Sequence, residues 1–373
     1  MRYYLIAGEA SGDLHGANLM KALKKVDQEA EFRFWGGDRM IAEGGALVKH
    51  FSEMAYMGFV EVVLNLRNIL RNLKVARQDL LAYRPDALIL VDFPGFNLRI
   101  AEFAREHGIK VFYYISPKVW AWNQKRVLKI KKVVDHLFCI LPFEVDFYRS
   151  WGMEVDYVGN PLLDAIADFT LDTEFLRKEG LQHKKIIALL PGSRKQEITK
   201  IFPDMLRVAE HFPDYLFVVA GAPNFSLAYY EQFMGEYRCP VVFGKTYDLL
   251  SYAQVAIVTS GTATLETALF HIPQVVVYKA NAISIAIGRL VIKIRYISLV
   301  NLIMDKAVVK ELIQQDCTPE KIGEEIGLLL HNGDYRKRVL SDYQELSKRM
   351  GKPGASLRTA ELIMHHLENA KEI

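Results

Sequence analysis

YYLIAGEASGDLHG, residues 3–16, decides how the rest of the chain is read. Tyr3 to Ile6 form a short apolar run of the kind a buried strand needs, and a glycine-rich turn follows at once. Leu19, Met20, Leu23 and Val26 then recur at helical spacing, which predicts a helix over 17–26 with Ser11 or Asp13 as its cap. Strand, glycine turn and helix in that order open a βαβ unit. The turn is not a dinucleotide fingerprint. Its glycines, Gly8, Gly12 and Gly16, stand four apart, whereas G-x-G-x-x-G is what lets amides crowd a pyrophosphate. It offers Glu9, Ser11, Asp13 and His15 instead. Carboxylates repel phosphate but accept hydrogen bonds from sugar hydroxyls. A turn without a ligand is the alternative reading.

The pattern repeats outward from this stretch. Apolar runs at 87–91, 110–115 and 136–141 continue the first half, and runs at 185–190, 215–220, 255–259 and 274–279 build the second. Continuous apolar strands alternating with helices predict parallel sheets covered on both faces. The series breaks near Gly159-Asn160-Pro161. The expected fold class is therefore α/β, with two doubly wound Rossmann-like domains, 1–170 and 171–350, facing a cleft. A last helix in 351–373 carries Ala360, Ile363, Met364 and Leu367 on one face.

Composition narrows the function. The 373 residues suffice for two cores, and 47 basic against 44 acidic residues leave a net charge of only +3, which argues against a nucleic-acid partner. Cys139, Cys239 and Cys317 lack metal-ligand spacing and fit a reducing cytoplasm. The chain enters a strand at once, without a leader-like cleavage region, and no apolar run approaches the roughly 18 residues that cross a bilayer. No Asp-x-Asp, P-loop or Gly-x-Ser-x-Gly occurs, so neither a metal nor a cofactor is expected.

Two motifs in the second half suit an anion. Leu190-Pro191-Gly192-Ser193-Arg194 ends one strand, and Ser260-Gly261-Thr262 ends another and opens a helix. Free amides at that helix start, with its partial positive charge, attract anions, and Arg194 can add a charged fork. Glu266 could take the hydroxyls of a ribose. A plain N-cap and a surface ion pair are the competing readings. In the first half, Asp92 follows a buried strand and precedes Pro94-Gly95, a place for a general base or for a turn-capping carboxylate.

Two stretches mix apolar and basic residues. Residues 113–132 set Trp120 and Trp122 among Lys118, Lys125, Arg126 and Lys129, which suits sugar faces, lipid phosphates or a membrane surface, or else a solvated helix. Met54, Met57, Phe59, Val60 and Val63 in 51–70 could form a groove for acyl chains or a core helix; residues 283–300 invite the same two readings.

Together these residues resemble the lipid-A-disaccharide synthase family of GT-B glycosyltransferases. The stretches AGEASGD, WGGDRM, MGFVEV, VDFPGFN, YISPKVWAW, LPFE, LPGSR, SGTATLE and VKELIQ appear in the family's order and span nearly the whole chain. The resemblance implies transfer of a sugar from UDP-2,3-diacylglucosamine to the 6-hydroxyl of 2,3-diacylglucosamine 1-phosphate (lipid X), with inversion, giving a β-1,6-linked disaccharide phosphate and UDP. It implies a metal-independent enzyme in the cytoplasm, held peripherally at the inner face of the membrane, with an intertwined homodimer known in the family. Asp92 matches the proposed base, and Ser193 and Arg194 the turn that meets the diphosphate. Ser260, Gly261, Thr262 and Glu266 match the nucleotide motif, and Asn301, Glu311 and Gln314 match polar positions expected near the donor. Glu9, Ser11 and Asp13 match the acceptor-side loop, with Met57 and Trp120 as further acceptor-side candidates. Val300 and Met304-Asp305 depart from the family pattern around Asn301. Other classes to weigh are a GT-B epimerase or peptidoglycan-type transferase on UDP-N-acetylglucosamine, a nicotinamide dehydrogenase, and a lipid-sugar binding protein without catalysis.

Overall fold

The computed structural model describes residues 1–54, 66–280 and 295–369. Met57, Phe59, Val60, Val63 and most of 283–300 lie outside them. The chain divides into two units, Met1–Ala167 with Lys352–Ile373, and Asp168–Gly351. The last segment, expected to cross back toward the first domain, is part of the first unit. Its helix, Ala355–Asn369, packs on the helix Ala10–Val26. Asp164 accepts hydrogen bonds from the amides of Gly354 and Ala355 at its start, and Arg358 donates to Val158 O at 2.8 Å.

In the first unit the described strands are β1 Arg2–Ala7, β2 Glu31–Gly36, β3 Ala46–His50, β4 Ala87–Val91, β5 Lys110–Tyr114, β6 His136–Cys139 and β7 Asp156–Tyr157. They pair in parallel in the order β3-β2-β1-β4-β5-β6-β7. Alternation along each strand feeds two cores. Tyr3, Leu5, Ile89, Val91 and Phe112 pack with Leu19, Leu23 and Ile363 on one face. Tyr4, Ile6, Leu88, Leu90 and Tyr113 pack with Leu73, Ala76, Leu80 and Ile100 on the other. That two-sided demand is why these strands read as unbroken apolar runs.

The order reverses between β1 and β4. Parallel doubly wound sheets present a crevice at such a switch point, outside the carboxyl ends of the strands. The ends in question are Ala7-Gly8 and Val91-Asp92.

The second unit repeats the design. Its strands are β8 Lys185–Leu190, β9 Tyr215–Gly221, β10 Val241–Phe243, β11 Ala253–Thr259, β12 Gln274–Tyr278 and β13 Lys310–Ile313, ordered β10-β9-β8-β11-β12-β13 and all parallel. Here the switch falls between β8 and β11, so Gly192-Ser193-Arg194 and Ser260-Gly261-Thr262 leave neighbouring strand ends.

Candidate active site

Asp92 sits at the carboxyl end of β4 with φ 45°, and Phe93 follows with φ 49°. Two consecutive side-chain-bearing residues in left-handed backbone are strained, and such strain persists only where the surroundings impose it. The surroundings here are named groups. Asn97, fully buried on the helix Pro94–Glu106, donates from Nδ2 to Asp92 O at 2.7 Å and, at 3.3 and 3.4 Å, to Val91 O and Ile6 O. Tyr113 OH donates to the same Asp92 carbonyl, and Asp92 N donates to Tyr114 O at 3.3 Å. Burial pushes the Asp92 carboxyl above the usual carboxylate range, while Lys118 and the Phe93 amide pull it back.

The opening loop divides into two roles. The helix begins at Ala10, earlier than its apolar spacing predicts, and Glu9 rather than Ser11 or Asp13 is the N-cap residue. Ser11 is exposed on its first turn. Asp13 is buried and turned inward, accepting from the amides of Gly37 at 2.7 Å and of Met40 and Arg39 at 3.1 Å. It fixes the Gly36-Gly37 turn and the start of the helix Asp38–Ala42.

Trp120 is likewise held by the protein's own groups. The indole is 7% exposed, its Nε1 donates to Glu144 at 3.1 Å, and its ring meets Phe143 edge-on. Glu144 also accepts from the amides of Ile140 and Leu141, and burial pushes its carboxyl up to about 7. The neighbouring Trp122 is the outward one, 47% exposed beneath the Arg126 guanidinium.

In the second unit, the turn after β8 already holds an anion of its own. Glu197 accepts from the amides of Ser193 and Arg194, both at 3.3 Å, and from Arg194 Nη1 at 3.4 Å. The Arg194 side chain is 76% exposed and able to swing. After β11, Gly261 and Thr262 are exposed at the start of the helix Thr262–Leu269, and Ser260 Oγ donates to Ile297 O at 2.9 Å. Glu266, one turn along, accepts from Tyr247 OH at 2.8 Å, and burial raises its carboxyl.

Asn301 is internal, and the half-buried Glu311 is bonded to it. Asn301 is 1% exposed; its Oδ1 accepts from the amides of Val308 and Val309, and its Nδ2 donates to Val309 O and Glu311. Glu311 also binds the amides of Ile297 and Ser298 and the Ser298 hydroxyl. Their polar atoms tie the turn before the helix Leu299–Met304 to β13, next to Ser260. Val300 and Met304, which depart from the family pattern, are buried and leave these hydrogen bonds intact. Gln314 behaves differently: it follows β13 with φ 57° and carries the kind of strain seen at Asp92.

The motif-based reading missed Asn97, Tyr113, Tyr247 and Ser298. Asn97 lies within VDFPGFN, but nothing local shows that its amide turns back to three carbonyls. Among the described residues, one group has metal-ligand chemistry: His136, Asp156 and His366 place ligand atoms within 4.8 Å of one another, with His136 at the amino end of β6. The carboxyl ends that carry Asp92 and Gly8 lie at the sheet's opposite edge.

Residues 3–364 match the profile of a family described as lipid-A-disaccharide synthetase. The lipid-A-disaccharide synthase of Syntrophus aciditrophicus is 40% identical over 364 residues, 95% of each chain. This chain belongs to the lipid-A-disaccharide synthase family. It is a glycosyltransferase of lipid A biosynthesis. The fold read from the sequence, paired Rossmann-like units of the GT-B class, is the observed one. A UDP-N-acetylglucosamine 2-epimerase from Listeria monocytogenes shares it at TM-score 0.68 and 14% identity, over 99% of this chain and 97% of that one. The glycosyltransferase of kitacinnamycin does so at TM-score 0.65 and 14% identity, over 98% and 99%.

Proposed function

We propose that this enzyme joins UDP-2,3-diacylglucosamine to the 6-hydroxyl of 2,3-diacylglucosamine 1-phosphate, with Asp92 as the base. The observation that carries the assignment is Asp92 itself, a carboxylate of raised proton affinity held at the switch point of the acceptor-side sheet. Asp92 takes the hydroxyl proton as the oxygen attacks the anomeric carbon from the face opposite UDP. The bond from that carbon to the diphosphate oxygen breaks, and negative charge develops on the leaving group. Arg194 and the amides of Gly261 and Thr262 stabilise that charge, a task a metal performs elsewhere. Glu266, oriented by Tyr247, takes the ribose hydroxyls. Ser193 and Gln314 border the donor, and Glu9 and Ser11 border the acceptor. A well-placed base contributes about 10²–10⁴ in rate.

Acylated substrates call for a lipid surface. Among the described residues no helix is long and apolar enough to cross a membrane. The helix Leu66–Tyr83 exposes Leu66 and Leu70 beside Arg67, Arg71 and Lys74, and Trp122 and Leu128 stand out beside Lys125 and Arg126. Apolar side chains framed by cations suit peripheral binding to the anionic inner face of the membrane.

The deciding assay supplies both lipid substrates and follows UDP release. Wild-type turnover with an inactive Asp92→Asn variant that still binds UDP supports the reading; a fully active Asp92→Asn variant removes Asp92 as base.

A further inference from the structure

We propose that Asn97 and Tyr113 are positioning residues for the transfer, acting together on the main-chain carbonyl of Asp92 so that its carboxylate stays aimed at the acceptor hydroxyl. The proposal rests on Asp92 being the base.

The argument begins with the backbone. Left-handed φ at Asp92 and Phe93 is unfavourable for both residues, so an unsupported turn would relax toward the extended or right-handed regions. Relaxation would rotate the Asp92 peptide and carry the side chain with it. Two donors oppose that rotation by holding the one carbonyl that would have to turn: Asn97 Nδ2 at 2.7 Å and the Tyr113 hydroxyl. Both come from rigid elements, Asn97 from the helix Pro94–Glu106 and Tyr113 from β5, the strand beside β4.

Asn97 also fixes the turn to its neighbours. The same Nδ2 reaches Val91 O at the end of β4 and Ile6 O near the end of β1. The two strand ends that create the switch point are therefore joined by one amide. Asn97 is fully buried, and its Oδ1 is buried without a hydrogen-bond partner. An ordinary core position gains nothing from a buried amide with an unmet acceptor. The amide is retained here for what its NH₂ group holds.

Chemically the residue must donate. Three carbonyl oxygens surround Nδ2, so an isosteric carboxylate oxygen in its place meets three acceptors and repels them. Asn97→Asp changes donor to acceptor with almost no change in shape, and Tyr113→Phe removes the hydroxyl donor alone. Misaiming a catalytic group by about 1 Å lowers rate by about 10²-fold.

The test combines steady-state and single-turnover kinetics on Asn97→Asp, Tyr113→Phe and Asp92→Asn, and on each of the first two combined with Asp92→Asn. Thermal unfolding and UDP titration serve as fold controls. The expected result is a fall in kcat of about 10²-fold for Asn97→Asp and about 10-fold for Tyr113→Phe, with KM and UDP affinity held. Neither change should lower the residual rate of Asp92→Asn further, because the carboxylate they aim is already gone. A wild-type kcat in both folded single variants overturns the proposal. So does an equal proportional loss in the Asp92→Asn background, which would mark a general structural role. Asp92→Asn with wild-type turnover fails the base assignment instead, a result readable without either positioning variant. Should Asn97→Asp not fold, Tyr113→Phe alone carries the same comparison.

Discussion

The ring of Phe93 fills the space beside Gly8 that a side chain would need: three ring carbons lie closer than 3.0 Å to where a Cβ would project. The glycine turn after β1 and the Asp92-Phe93 turn after β4 are thereby fitted to each other. Gly8 is required for the absence of its side chain, since its φ is not in the left-handed region.

Gly8→Ala should therefore disturb Asp92 at a distance. The new methyl displaces the Phe93 ring and with it the left-handed pair, and overpacking of this kind costs about 1–3 kcal/mol. Activity should fall by more than tenfold, and adding Phe93→Ala should restore part of it by making room. Turnover assays on the single and double variants check this; a fully active Gly8→Ala variant would show that the two turns are not mechanically linked.

Lys118 is expected to tune the proposed base. Burial raises the proton affinity of Asp92 and Lys118 opposes that rise. Replacing Lys118 with Gln removes the opposition, so the carboxylate should hold its proton to higher pH. A base must be unprotonated to act, so activity is lost as pH falls through its pKa. The acid limb of kcat/KM against pH should move upward in Lys118→Gln, while the alkaline side keeps its position. An unmoved acid limb would separate Lys118 from the base.

The eight strands expected from apolar runs are all present, because a strand covered on both faces must be apolar at every position. Strand β2 and the edge strands β3, β7, β10 and β13 escaped notice: they are short, or they carry polar residues such as Arg33, Lys49 and Asp156. The motifs placed Asp92, Arg194 and Ser260 just after buried strands, where the structure has them, because that position is a local property. They did not show that Asp13, Trp120, Asn301 and Glu311 are bonded to the protein's own groups, because a polar residue in a motif can serve the loop as well as a ligand. Only the partners tell these roles apart, and those partners lie 24, 24, 8 and 13 residues away, at Gly37, Glu144, Val309 and Ser298.

Glu197 is expected to compete with the diphosphate for the turn after β8. Its carboxylate already accepts from the Ser193 and Arg194 amides and from the Arg194 guanidinium. Glu197→Gln preserves an acceptor for the cap but removes the charge. UDP should bind a few-fold more tightly to that variant at low salt, the gain shrinking as ions screen it. Arg194→Ala should weaken UDP instead. Calorimetric titration at two ionic strengths distinguishes these outcomes, and weaker binding by Glu197→Gln would mean that its charge orders the site.

Glu266 is expected to read the ribose. A buried carboxylate oriented by Tyr247 gains from accepting two hydroxyl protons and loses when one is missing. Wild-type protein should prefer UDP over 2′-deoxy-UDP by about tenfold, the worth of one or two hydrogen bonds. Glu266→Ala should bind both equally weakly, and Tyr247→Phe should fall between. Retained discrimination in Glu266→Ala would assign the ribose to another residue.

The first unit should also be acid-sensitive through a pair of stacked imidazoles. His136 on β6 and His366 on the helix Ala355–Asn369 lie with ring centroids 3.5 Å apart and planes 18° apart, flanked by Phe112. Burial lowers the proton affinity of both, reinforced at His136 by the ring of His366 and opposed there by Asp135; Asp156 opposes the fall at His366. His136 drops from 6.5 to about 4. A histidine held neutral in the fold but free to protonate when unfolded binds more protons in the unfolded state, so stability rises with pH across that interval. The contribution is complete above about 6.5 and is lost as pH falls toward about 4. Other groups titrate in the same range, so the informative quantity is the difference between variants. His136→Phe keeps an aromatic ring against Phe112 and His366 and removes the proton site. Its unfolding temperature should fall less than that of wild type between about pH 7 and about pH 4.5. Equal slopes would show that the pair does not couple the last helix to protonation.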